Sequence, residues 1–229
     1  MSASGQSTLS NRFRIAPCAE ANRPLVIIVD DDENVREALH ALVVSVGLDV
    51  VSFVSTQDML AAELPNRPSC IVADVRMPGV SGLDLQRQLL DQGDATPIIF
   101  LTGHGDIPMS VLAMKAGAID FLTKPVRDQA LLDAIAAGIE KDIANRAEAL
   151  VVRQHLERLE TLTERERQVF RGVARGRLNK QIAFDLGISE VTVKLHRGNL
   201  VRKMQAASVG ELIRAWESLP AEMRERCGA

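Results

Sequence analysis

The chain of 229 residues has few aromatic side chains, with one Trp and no Tyr. Its cores must therefore be built mainly from aliphatic residues. No apolar stretch approaches the roughly 18 residues that a membrane-spanning helix needs. The first 23 residues are rich in Ser, Asn and Ala and lack the apolar core of a secretory signal. These features predict a soluble cytoplasmic protein with a disordered amino-terminal tail over residues 1–23.

Cysteine is also scarce. The chain contains Cys18, Cys70 and Cys227, an odd number at wide spacing. This pattern excludes a disulfide-bonded scaffold and does not fit the spacing of a zinc site. We expect three free thiols.

The small net charge of −3 conceals two oppositely charged parts. Residues 25–140 carry 7 Lys and Arg against 17 Asp and Glu, whereas residues 161–229 carry 13 against 8. An acidic part joined to a basic part predicts two domains, of which the second faces nucleic acid. Residues 141–160 carry 4 charges of each sign and no Gly or Pro, which predicts a helical linker.

Carboxylates follow two of the apolar runs in the acidic part. Asp30, Asp31 and Asp32 come directly after residues 25–29, and Asp74 follows residues 70–73. In a parallel sheet the carboxyl ends of neighbouring strands open on one crevice. Clustered carboxylates repel one another unless a divalent cation keeps them ionised. The pattern therefore predicts a Mg²⁺ site that includes Asp30, Asp31 and Asp74.

Two further apolar runs end in polar residues suited to the same crevice, Thr102 and Lys124. Phosphoryl transfer needs a positioned nucleophile and positive charge or hydrogen-bond donors at the phosphoryl oxygens. Asp74 would be the nucleophile that becomes an acyl phosphate. Lys124 would supply a fixed charge, and Thr102 a hydroxyl donor.

Each residue also has an ordinary structural explanation. Asp31 or Asp32 could cap the helix predicted at residues 33–46, and Asp32 is the preferred cap. Asp74 could belong to a turn, and Lys124 could be a solvated surface lysine. Their occurrence together at four successive strand ends favours the functional interpretation.

The segments VDDDENVR, ADVRMPGVSG, LTGHGD and AMKAGAIDFLTKP, in this order, resemble the receiver domain of two-component response regulators over residues 24–140. The resemblance implies a flavodoxin-like, doubly wound, parallel five-stranded sheet. It adds the backbone carbonyl of Arg76 as a Mg²⁺ ligand, a cis Lys124–Pro125 bond, and Thr102 with Phe121 as switch residues. It also implies a dimer surface on the helix at residues 108–117 and the strand after it, with Val111, Met114 and Lys115 as the residues of interest.

The carboxy-terminal part has an all-α pattern of four helices. Thr163 and Glu166 form a capping box, Asn179 is the expected cap of a helix over residues 180–186, and Ser189 caps a helix that ends near Met204. Ser208 and Glu211 cap a last helix. Two helices joined by the turn at residues 187–189 indicate a helix-turn-helix. The helical period directs Val193, Leu200 and Met204 inward and leaves Val191, Lys194, Leu195, Gly198 and Arg202 on the other face.

The segments LTERERQVF, NKQIAFDLGIS and TVKLHRGNLVRKM resemble the LuxR-type helix-turn-helix and, with the receiver, a FixJ/NarL-type regulator. We expect Lys194 to read a guanine edge and Leu195 a thymine methyl. The expected phosphate contacts are Thr192, Arg197, Arg202, Lys203 and Lys180. Gly198 costs roughly 1 kcal/mol of helix propensity and removes one base contact.

The sequence thus predicts a transcription factor with a tail (1–23), a receiver (24–140), a linker (141–160) and a DNA-binding domain (161–229). A sensor histidine kinase would phosphorylate Asp74. The homodimer would then bind promoter DNA and regulate transcription by RNA polymerase. Activation is the expected effect. Two alternatives remain. An enzyme hydrolysing phosphate esters is disfavoured because Arg76 stands where a second acid is needed. A constitutive DNA binder with a degenerate receiver is disfavoured by the complete acid set.

Overall fold

A computed structural model describes residues 23–103 and 107–226. The predicted amino-terminal tail, apart from its last residue, lies outside the described residues, as do Cys18 and Cys227. The chain divides into two compact units at Arg146 and Ala147. None of the helices in the described ranges is long and apolar enough to cross a membrane.

The first unit is an alternating series of strands and helices. The strands are β1 (Leu25–Val29), β2 (Asp49–Phe53), β3 (Ser69–Asp74), β4 (Ile98–Thr102) and β5 (Asp120–Thr123). The helices are α1 (Glu33–Ser45), α2 (Thr56–Ala61), α3 (Gly82–Asp91), α4 (Ile107–Lys115) and α5 (Asp128–Glu160), and the last of these continues into the second unit. The predicted helical linker is therefore the second half of α5.

The strands form one parallel sheet in the order β2-β1-β3-β4-β5. β1, β3 and β4 are buried along their whole length, which explains why their sequences are continuous apolar runs. Residues of α2, α3 and α4, such as Met59, Leu85 and Ala113, pack on one face. Residues of α1 and α5, such as Leu39 and Ile135, pack on the other. The doubly wound flavodoxin-like prediction is confirmed.

Within residues 147–226, the second unit contains the end of α5 and five further helices. These are α6 (Glu164–Ala174), α7 (Asn179–Leu186), α8 (Glu190–Met204), α9 (Val209–Ser218) and α10 (Ala221–Arg226). Val193, Leu200 and Met204 of α8 are buried in one core, as the helical period predicts. In the same core Phe170 and Trp216 pack edge to face with ring centroids 5.0 Å apart.

Local hydrogen bonds explain where these helices begin. The side chain of Thr163 accepts from the backbone of Glu166, and the Glu166 carboxylate accepts from the backbone of Thr163. Ser189 and Ser208 likewise accept from the third residue after them. These predicted caps are confirmed.

The predicted cap at Asn179 is wrong. Leu178 occupies the cap position of α7, and its backbone N–H donates to the side chain of Gln181 at 2.9 Å. Asn179 is the first residue of the helix, and its side-chain oxygen accepts from Arg197 instead. α7 therefore begins without a side-chain cap on its own backbone N–H groups. At its other end, Gly187 has a φ of 64°, a value that favours glycine.

Candidate functional site

The carboxyl ends of the strands bring four of the predicted residues together. Asp30 follows β1, while Asp74 ends β3 and Thr102 ends β4. Lys124 follows β5 and its backbone N–H donates to the carbonyl of Thr102 at 2.7 Å. The Lys124–Pro125 bond is cis, as the resemblance implies. The crevice predicted from the sequence therefore exists.

Lys124 joins the two buried carboxylates of the crevice. Its Nζ donates to Oδ2 of Asp30 at 2.6 Å and to Oδ2 of Asp74 at 2.5 Å. Partial burial lowers the pKa of Lys124, but the hydrogen bonds to Asp30 and Asp74 outweigh it and raise the pKa above the ordinary lysine value. The ammonium is consequently charged at neutral pH. It provides a fixed positive charge beside the side chain of Asp74.

Three carboxylates fit a divalent cation at this place. Oxygens of Asp30, Asp31 and Asp74 lie within 4.8 Å of one another. One ammonium cannot neutralise three carboxylates, so two negative charges remain for a divalent ion. Carboxylate oxygens are the ligands that Mg²⁺ prefers, and Asp31 is exposed, so water can complete the coordination of an ion held there.

The remaining oxygens of the buried acids accept backbone hydrogen bonds. Oδ1 of Asp74 accepts from the N–H of Arg76 at 2.8 Å, and Oδ1 of Asp30 from the N–H of Asp32 at 3.0 Å. These bonds fix both carboxylates without occupying all their lone pairs. The side chain of Asp32 accepts from the backbone of Asn34 at 2.9 Å. Asp32 is therefore the cap of α1, as predicted.

Two further residues position these acids and were not predicted from the sequence. Nη1 of Arg36 donates to the backbone carbonyl of Asp30 at 2.7 Å. A cation placed six residues after the first aspartate, on the following helix, was a signal that could have identified it. Gly82 begins α3 against β3, and a Cβ on it would collide with the backbone carbonyl of Asp74. No sequence pattern reveals this second contact.

The two predicted switch residues are in different environments. Thr102 is buried, with 1% of its surface exposed. Phe121 is half-buried on β5, with its ring centroid 6.3 Å from that of Phe100. Val111, Met114 and Lys115 are exposed on α4. Ile107 and Leu112, which were not predicted from the sequence, are exposed on the same helix. In α4 only Ala113 is buried.

The second unit presents the predicted outer face of α8. Val191, Lys194, Leu195, Gly198 and Arg202 are all exposed, and the helical period that separated them from the core residues is confirmed. Lys180 is exposed near the start of α7. Thr192 and Arg197 are half-buried, and Nη1 of Arg197 donates to Asn179 at 2.9 Å.

Lys203 is half-buried and forms an ion pair within the domain, so its phosphate contact stays a prediction. Its Nζ donates to Oε2 of Glu166 at 2.7 Å and to the carbonyl of Thr161 at 2.9 Å. Burial alone would raise the pKa of Glu166, but the hydrogen bonds from Lys203 and Thr163 lower it below the ordinary value. The charge of Lys203 is thus used inside the domain.

Arg158, near the end of α5, contacts the end of α8. Its guanidinium donates to the carbonyl of Met204 at 3.2 Å and to the side chain of Gln205 at 2.8 Å. A cation is favourable at a helix carboxyl terminus, where carbonyl groups lack partners. The last turns of α5 are therefore part of the second unit.

Two families match the two parts of the chain. The response regulator receiver domain matches residues 26–136, and the luxR family of bacterial regulatory proteins matches residues 160–216. The protein is 49% identical over 199 residues to nodulation protein W of Bradyrhizobium diazoefficiens, covering 87% of this chain and 88% of that relative. The chain belongs to the response regulators.

Other response regulators show the same organisation over most of the chain. The response regulator protein TodT of Pseudomonas putida is 49% identical, with 85% of this chain and 86% of TodT covered. The solved structure of the response regulator StyR is 47% identical and matches with a TM-score of 0.72, covering 85% of this chain and 98% of that one. This response regulator therefore combines a receiver with a LuxR-type DNA-binding domain and is homologous to the transcriptional regulatory protein FixJ.

Proposed function

We propose that a sensor histidine kinase phosphorylates this response regulator on Asp74. We also propose that Asp30, Asp31, Asp74 and the backbone carbonyl of Arg76 hold the Mg²⁺ that the reaction requires. The observation that carries this proposal is the hydrogen bonding of Lys124 to both Asp30 and Asp74, beside a cluster of three carboxylates.

The proposed reaction is a displacement at phosphorus. A carboxylate oxygen of Asp74 attacks the phosphoryl group of a phosphohistidine, so that a P–O bond forms and the P–N bond breaks. Lys124 and the hydroxyl of Thr102 then donate to phosphoryl oxygens. When bound, Mg²⁺ would neutralise charge on the phosphoryl group.

The proposed output is binding of a homodimer to promoter DNA, followed by activation of transcription through RNA polymerase. The exposed apolar side chains of α4 support a dimer surface there, because a contiguous apolar patch commonly marks an interface. We assign base contacts to Lys194 and Leu195. Phosphate contacts are assigned to Thr192, Arg197, Arg202 and Lys180. The DNA-binding domain supports action in the cytoplasm, and we expect no catalytic turnover of phosphate esters.

Phosphoryl incorporation from acetyl phosphate tests this function. We expect one phosphoryl group per chain in the presence of Mg²⁺ and none in Asp74→Asn. Asp91→Asn, which changes an exposed acid at the end of α3, is the matched control. The phosphorylated protein should elute as a dimer and bind DNA more tightly than the untreated protein. Incorporation that persists in Asp74→Asn would rule out Asp74 as the acceptor.

A further inference from the structure

Gly198 lies in the middle of α8, where glycine is unfavourable. A glycine inside a helix destabilises the helix relative to alanine, because glycine loses more conformational freedom than alanine when the chain folds. For two other glycines of the second unit, the fold itself explains why glycine is present. Gly187 has a positive φ, and a Cβ on Gly172 would lie 2.8 Å from Cγ1 of Ile182.

Neither reason applies to Gly198. Its φ is not positive, and a Cβ placed on it would meet no atom within 4 Å beyond its two chain neighbours and the adjoining backbone of its own helix. Alanine would therefore fit the isolated domain and would favour the helix. Nothing within the described fold accounts for a glycine at this position, whereas a partner that approaches the helix closely from outside would account for it.

The surroundings of Gly198 indicate what that partner is. Val191 and Leu195, on the same face, are 75% and 63% exposed, which leaves large apolar side chains without a partner. Lys194 and Arg202, four residues before and after Gly198, add exposed positive charge. Gly198 is thus a gap at the centre of a face that is apolar and basic. The major groove of DNA, with thymine methyl groups between two rows of phosphates, complements such a face.

We propose that Gly198 is a point of close approach, at which the backbone of α8 lies directly against the DNA. The missing side chain sets how deeply the helix enters the major groove, and so how well Lys194 and Leu195 reach the base edges. This inference rests on the proposed function, since it assumes that α8 is the helix that reads DNA. Some helix stability is lost in exchange for a closer interface.

The test compares Gly198→Ala with Gly210→Ala in the full-length, acetyl phosphate-treated protein. Gly210 is exposed on α9, and a Cβ there would make only ordinary contacts of 3.7 Å or more. The DNA probes are a duplex selected from a randomised pool by the wild-type protein and a duplex of scrambled sequence. We expect Gly198→Ala to raise the thermal unfolding midpoint and to weaken binding to the selected duplex about tenfold or more. Binding should weaken further in Gly198→Gln. Gly210→Ala should bind both duplexes as the wild type does.

Each contrary result has a distinct meaning. If Gly198→Ala binds the selected duplex as tightly as the wild type, close approach is refuted and Gly198 is an ordinary surface glycine. If Gly198→Ala lowers the unfolding midpoint, the glycine is needed within the fold and the inference is equally wrong. If the wild-type protein selects no duplex, the proposed function fails before the variants are compared.

Discussion

Asp31 and Asp32 are adjacent carboxylates with different surroundings. Asp31 is exposed and contributes an oxygen to the cluster with Asp30 and Asp74, whereas Asp32 accepts hydrogen bonds from the first turn of α1. The same residue type therefore serves a charge cluster at one position and a helix terminus at the next. Substituting them separately distinguishes the two roles.

We predict that Asp31→Ala abolishes phosphoryl incorporation from acetyl phosphate, and that EDTA has the same effect on the wild type. Removing one ligand weakens the site for Mg²⁺ and leaves the incoming phosphoryl charge facing the remaining carboxylates. Asp32→Ala should instead retain incorporation and lower stability by about 1 kcal/mol through loss of the cap. Normal incorporation in Asp31→Ala would contradict the metal assignment.

Lys203 and Glu166 form an ion pair. The stability lost when this pair is removed should depend on pH. In the folded protein the pKa of Glu166 is lowered, so its stabilising contribution is present above the ordinary glutamate pKa and is lost as the pH falls through the folded value. In Lys203→Met the buried carboxylate loses its cation, and only the hydrogen bonds from Thr163 still oppose the effect of burial, so its pKa should be higher than in the wild type. The unpaired charge should destabilise the domain at neutral pH. This destabilisation should disappear when the carboxylate is protonated in acid.

We therefore predict that Lys203→Met lowers the free energy of unfolding by roughly 2–4 kcal/mol at neutral pH. The difference from the wild type should shrink as the pH falls through the range in which glutamate protonates. Urea unfolding followed by fluorescence of Trp216, the single tryptophan, reports on this unit. Lys194→Met, at an exposed position, should change stability by less than about 0.5 kcal/mol. A difference independent of pH would show that the ion pair is not the cause.

At the scale of elements, α5 is fixed to the sheet of the receiver by a close contact and by buried polar groups. The carboxylate of Asp142 accepts from the backbone N–H of Ser69 at 2.8 Å and from Nε of Arg146 at 2.6 Å. One turn earlier, a Cβ on Gly138 would lie 2.5 Å from Sγ of Cys70. Burial, with a smaller effect from Asp142, raises the pKa of the Cys70 thiol, so this cysteine acts as a packing group.

We predict that Gly138→Ala destabilises the receiver by about 1–3 kcal/mol, despite the better helix propensity of alanine, because the new methyl group collides with Cys70. Cys70→Ala removes the sulfur and makes room for it. The double variant should therefore be more stable than the sum of the single effects, by more than about 0.5 kcal/mol in a double-mutant cycle. Urea unfolding followed by circular dichroism measures the free energy of unfolding of the wild type and of each variant. Additive effects would show that the sheet and helix adjust without Cys70.

The same elements indicate what a sequence can reveal. The sheet, the face of α8 and the caps at Thr163, Ser189 and Ser208 were predictable, because hydrophobic period and capping depend on neighbours within a few residues. The strand-end carboxylates were predictable because parallel strands bring their ends together. The ion pair of Lys203 was not predictable, since its partner Glu166 lies 37 positions earlier in the chain.

For phosphorylation to regulate the whole molecule, the phosphoryl group has to change the populations of an inactive and an active state. Moving a two-state equilibrium from 1:99 to 99:1 requires about 10⁴-fold preference, or ~5.5 kcal/mol, for one state. Thr102 and Lys124 can supply such a preference only if they contact the phosphoryl group in that state. The proposed dimerisation would convert the change into DNA affinity, because two joined domains would bind two half-sites.

Side-by-side recognition helices would place the half-site centres about one helical turn, ~10 base pairs, apart. We predict that Lys194→Ala relaxes preference by roughly 1–3 kcal/mol at one position of each half-site. Arg202→Ala should weaken binding to all sequences alike and flatten the dependence on salt. Titrations of point-mutated operators at two salt concentrations separate the two effects. If Lys194→Ala lowers affinity equally for every operator, Lys194 contacts phosphate, and the outer face of α8 reads DNA through other residues.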